Sequence, residues 1–133
     1  MNDPDDWCEW LAKASNDLLN IDNNPRSQAI PWDTVCFHAQ QAAEKLLKAL
    51  LVARGETVPR THDLSALLGR CAAAGAAVEA LGEDCERLQP YAVLTRYPGS
   101  PFEPDAEEGR LAAEVAHRVF EVVRRILAGH SPQ

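Results

Sequence analysis

Four polar residues, His38, Gln41, Lys45 and Lys48, recur at spacings of three, four and three. On an α-helix those intervals stack the side chains along one face. Two neighbouring ammonium groups with amide and imidazole donors can hold a phosphate or the carboxylates of a partner. The same stripe also fits a plainer reading, a solvated face supported by the four-residue pairs Gln40–Glu44 and Glu44–Lys48. His62, between Thr61 and Asp63, either sits in a helix cap or extends the Lys45/Lys48 face, since the connection from the preceding helix is short. Arg96-Tyr97-Pro98 either closes a helix or presents an arginine to phosphate beside a tyrosine that stacks on a base.

The elements that must position these residues read as helices throughout. No stretch alternates apolar and polar with β-branched residues, so a β-rich fold is excluded. The expected architecture is all-α, an antiparallel up-and-down bundle of about five helices with a long second and a long last helix. The first spans about Pro4 to Asn20, capped by Asp3 with Pro4 at the first helical position. The second spans about Trp32 to Arg54 and stops at Gly55, with Val35, Ala39, Ala42, Leu46, Ala49, Leu50 and Ala53 as its core arc. A third starts at Thr61-His62-Asp63 and ends near Gly75. A fourth runs from about Ala77 to Tyr97, with Gly82 and Pro90 as its weak points. The Pro98-to-Pro104 segment is not regular helix, and the fifth helix covers about Asp105 to Ala128.

The 133 residues fit one domain over 1–133, with 1–3 and 129–133 frayed. Cys8, Cys36, Cys71 and Cys85 lie far apart in helical patterns and read as small apolar side chains, with no metal site and no cofactor motif. No apolar run is long enough to span a membrane, and the acidic N-terminus lacks a signal-peptide pattern, so the expected location is cytoplasmic. A formal net charge of −7 opposes nonspecific nucleic-acid binding, while leaving room for a local basic cleft.

The run Phe37-His38-Ala39-Gln40-Gln41-Ala42-Ala43-Glu44-Lys45-Leu46-Leu47-Lys48-Ala49-Leu50-Leu51 resembles the signature helix of HEPN domains. Thr61-His62-Asp63-Leu64 and then Tyr91 leading to Arg96-Tyr97-Pro98 follow in the same order, and the opening helix with Trp7 and Asp17 is also similar. The resemblance implies a helical bundle that forms a homodimer. It also implies a role with nucleotide or RNA, beside a minimal nucleotidyltransferase partner, in a toxin–antitoxin or stress-response pair. In such pairs the partner can transfer a nucleotide to the HEPN protein, which makes Tyr97 the acceptor to examine.

Some branches of that family are metal-independent ribonucleases carrying Arg, four to six residues, then His. After Arg96 the corresponding positions are Pro101, Phe102 and Glu103, none of which shuttles protons as imidazole does. A literal match, Arg110 with His117, falls later in the chain. Seven residues make two helical turns, so the pair shares a face with Glu114, Glu121 and Arg124, as a solvated stripe also does. The reading favoured is a nucleotide-binding and interaction module through His38, Gln41, Lys45, Lys48, His62, Arg96 and Tyr97, with ribonuclease activity through Arg110 and His117 as the alternative.

Overall fold

The computed structural model describes residues 6–23, 32–92 and 104–129. Five α-helices occur among them: α1 (Trp7–Asn23), α2 (Trp32–Ala53), α3 (Leu64–Ala73), α4 (Gly82–Leu88) and α5 (Ala106–Leu127). The all-α bundle expected from the sequence is therefore what the chain forms.

Local chemistry explains most helix ends. The expected cap at Asp3 and Pro4 lies outside the described residues. Within them Asp6 takes that place, its carboxylate accepting from the Cys8 N–H at 2.9 Å. α1 continues to Asn23 because Ile21 is on its buried face and gains from staying helical. α2 closes on Gly55, at φ 74°, where the Glu56 N–H reaches Leu51 O at 2.8 Å. Glycine has no Cβ to clash there. α3 starts at Leu64 rather than Thr61, since Asp63 is its cap and accepts from the Ala66 N–H at 3.1 Å. Asp105 caps α5 in the same way through the Glu108 N–H.

The expected fourth helix is not continuous. A 3₁₀ turn at Glu79–Leu81 leads into the short α4, and a second 3₁₀ turn covers Gln89–Ala92. Pro90 has no N–H to give and its ring crowds the preceding turn, so the α-helix ends two residues before it. Residues 93–97 of that expected helix lie outside the described residues.

α2 is the axis of the bundle. Leu46 and Leu50 on one side, and Leu47 and Leu51 on the other, are all fully buried. A helix apolar on both sides must be surrounded. α1 packs antiparallel to α2, since Trp10 in its first half meets Lys48 while Asp17 meets His38. α5 begins at the same end as α2, where the Trp32 indole lies against Gly109 and beneath Arg110, 5.3 Å from the ring centroid. Buried Asp84 ties α4 to α5 by two 2.9 Å hydrogen bonds from Arg118.

Gly109 is required by that approach. A Cβ there would run into Trp32 Cε3 and stand 2.9 Å from Cδ2. Gly109→Ala gains about 1 kcal/mol of helix propensity and loses about 1–3 kcal/mol to overpacking. Urea denaturation should show a net loss of about 1 kcal/mol, reversed to a gain in a Trp32→Ala background where the indole is gone. A stabilised Gly109→Ala single variant would refute the close contact.

Candidate functional site

The polar stripe of α2 is built on two buried carboxylates. Asp17 of α1 replaces an apolar residue in the series Trp7, Trp10, Ala14, Ile21 that faces α2. Its side chain is 7% exposed, and it accepts from His38 Nδ1 at one oxygen and from Lys45 Nζ at the other, each at 2.7 Å. Glu44 of α2 is 5% exposed and does the same, accepting from His62 Nδ1 at Oε1 and from Lys48 Nζ at Oε2, both at 2.9 Å. Two copies of one device result: a carboxylate holding an imidazole by Nδ1 on one oxygen and an ammonium on the other.

Each carboxylate makes its burial tolerable in this way. Burial pushes the Glu44 carboxyl up, but hydrogen bonds and positive charge from Lys48 and His62 outweigh it, and the group is held below the usual carboxylate range. The Lys48 ammonium also lies 5.5 Å from the centroid of the Trp10 ring, a cation–π contact that binds α1 to the same cluster. Because a carboxylate only accepts, both imidazoles carry a proton on Nδ1 and turn Nε2 away from the pair.

The environments of the two histidines differ. His38 is 24% exposed and packs edge-on against Phe37. His62 is 71% exposed, yet its backbone is pinned. Its carbonyl accepts from Gln40 Nε2 at 3.3 Å and Gln89 Nε2 at 3.2 Å, and the Leu64 N–H donates to Gln89 Oε1 at 2.7 Å. Gln40 is fully buried and accepts in turn from Gln41 Nε2 at 2.7 Å. The solvated-face reading of Gln40, Glu44 and Lys48 is thus corrected: all three are buried, because α1 and the 61–63 connection close over them.

His38, Gln41, Lys45, Lys48 and His62 all belong to this network, and Lys45 and Lys48 direct their ammonium groups inward to carboxylates. Arg96 and Tyr97 lie outside the described residues. Tyr91, which precedes them, donates to Glu108 at the start of α5 at 2.5 Å. Burial and that carboxylate raise its phenol well above the ordinary tyrosine value. Arg110 and His117 are not brought together: Arg110 covers Trp32, and His117 Nε2 bonds Asp22 at the end of α1 at 2.9 Å.

Asp17, Gln40, Glu44 and Gln89 were not among the sequence-derived site residues. The first three carried a signal. Asp17 interrupts an apolar heptad series, and Gln40 and Glu44 lie two turns before Leu47 and Leu51, hence on an apolar face. Gln89 carried none, since only the fold brings it to His62. Cys36, Cys71 and Cys85 are buried and Cys8 is partly so. Burial pushes the Cys71 thiol up to about 12 and Cys85 to about 11, which keeps both unreactive. Among the described residues no three His, Cys, Asp or Glu side chains are grouped to hold a metal ion, and no helix is long and apolar enough to cross a membrane.

The HEPN domain family matches residues 7–126, the span from the first residue of α1 to the last turn of α5. The chain belongs to the HEPN domain family. Among solved structures, the crystal structure of TT1696 from Thermus thermophilus is similar to it, with 31% sequence identity and a TM-score of 0.71. That likeness covers 90% of this chain and 96% of the other. No curated protein sequence matches significantly.

Proposed function

We propose that this chain is a single-domain, cytoplasmic HEPN module that binds a nucleotide and works as a homodimer with a minimal nucleotidyltransferase, in a toxin–antitoxin or stress-response pair. The observation that carries the nucleotide reading is the doubled carboxylate–imidazole–ammonium network around α2, in which Asp17 and Glu44 hold the rings of His38, on α2, and of His62, in the connection before α3, by Nδ1. Fixed donors lose little entropy when an oxyanion arrives. Membership of the HEPN family supports a role with nucleotide or RNA.

The alternative, a metal-independent ribonuclease through Arg110 and His117, has weaker support. General acid–base work and charge stabilisation must converge on one phosphorus atom. Here the two side chains are two turns apart and engaged with Trp32 and Asp22. RNA incubated with the purified protein in EDTA should remain intact, and cleavage abolished by His117→Ala would restore the enzyme reading.

Copurification from native cells with mass spectrometry tests the pair directly. The expected result is a short nucleotidyltransferase recovered with the HEPN chain, with Tyr97 examined for covalent AMP. Recovery of the dimer alone, with unmodified Tyr97 and no nucleotide, would overturn the partner assignment.

A further inference from the structure

His62 combines two properties that do not belong together in a purely structural residue. Its side chain is 71% exposed, where a hydrogen bond contributes little to stability. Its supports, however, are buried or anchored: Glu44 holds the ring, and Gln40 and Gln89 hold the carbonyl behind it. The buried carboxylate and amide thus hold a surface imidazole in one orientation, with its outer nitrogen preorganised for a ligand.

The charges around the ring indicate what it meets. Glu44 faces Nδ1, and its other oxygen is already neutralised by Lys48 at 2.9 Å. Asp63, the next residue, has its carboxylate on the Ala66 N–H at the start of α3. Gln40 of α2 and Gln89 after α4 are uncharged, and Arg60, two residues earlier, is cationic. With Glu44 and Lys48 cancelling, a proton taken up at His62 leaves the cluster with a net positive charge, and Nε2–H becomes an outward donor. An anion placed at Nε2 favours the doubly protonated, cationic ring over the neutral one.

We propose that His62 is the group that receives a nucleotide's phosphate, donating from Nε2 to a phosphate oxygen, and that binding takes up a proton at this ring. Glu44 and Lys48 are positioning residues: the first fixes the ring, the second cancels the charge that would otherwise hold the imidazolium for itself. The inference rests on the nucleotide-binding reading and adds which atom makes the contact and why binding depends on pH.

The test is isothermal titration of the full chain with ATP, tripolyphosphate and adenosine at pH 6 and pH 8, in two buffers of different ionisation enthalpy. Wild type should bind ATP and tripolyphosphate more tightly at pH 6, with a buffer-dependent heat that reports proton uptake; adenosine should show none. His62→Gln, an exposed change that leaves the core intact, should weaken ATP about tenfold or more and abolish the proton uptake. Lys13→Gln on the exposed side of α1 removes one cation elsewhere and should change neither. Wild-type affinity and proton uptake in His62→Gln overturn this inference while leaving nucleotide binding intact. ATP failing to bind wild type overturns both.

Discussion

Glu44→Ala is expected to destabilise the protein by about 3–5 kcal/mol, because it leaves a buried ammonium without its counter-ion. Lys48 Nζ is held at 2.9 Å from Glu44 Oε2, and its side chain is only 10% exposed. The Trp10 ring at 5.5 Å offers a cation–π contact but no hydrogen-bond acceptor of comparable strength. Domains of this kind are stable by about 5–15 kcal/mol in total, so the loss is a large fraction. For this length it corresponds to a fall in Tm of about 10 °C or more. Asp17→Ala should cost less, since the partners it abandons, His38 and Lys45, are each 24% exposed and can turn to water. The order of the two variants, read by urea denaturation at pH 7, is the check. A loss below that of Asp17→Ala would mean that Lys48 escapes to solvent and that the pair is not structurally buried.

The same carboxylate sets an acid limit. Its folded-state pKa is depressed, with the unfolded value near 4.3. The stability it contributes is therefore complete above about pH 4.3 and is lost as the pH falls through the lower folded value. Glu44→Gln should remove this acid-sensitive component, so that the difference in stability between wild type and variant shrinks below about pH 4.

Helix positions were legible in the residues because periodicity, caps and glycine stops are local. Gly55 and Asp105 end and start helices where the sequence places them. The fourth helix was not legible in full, because Pro90 marks a break but not how far upstream the α-geometry fails. The site was half legible. Spacing put His38, Gln41, Lys45 and Lys48 on one helix, but spacing says nothing about what lies opposite. Asp17 is 21 positions from His38 and Gln89 is 27 from His62, so the partners that decide the chemistry come from the packing. Those partners turn what reads as a row of free cations into two compensated clusters.

A compensated cluster raises the question of what it is for, and a substitution can separate the two answers. Replacing a buried ion pair by apolar residues of similar volume is often neutral or stabilising, by up to about 4 kcal/mol. Glu44→Leu with Lys48→Met should therefore fold with stability within about 1 kcal/mol of wild type or above it, unlike Glu44→Ala. The surroundings favour the swap: Leu47 and Leu51 lie on that side of α2, and the Trp10 ring already covers Lys48. His62 loses its carboxylate but keeps its backbone bonds to Gln40 and Gln89, so the connection into α3 stays in place. What should disappear is the proposed ATP binding. Without Glu44 the ring is free to rotate, and ATP affinity should fall about as far as in His62→Gln, with proton uptake on binding reduced. If the double variant is stable and still binds as wild type does, the ion pair is a packing element alone and His62 needs no orientation. If it is stable and does not bind, the buried pair exists to aim the imidazole.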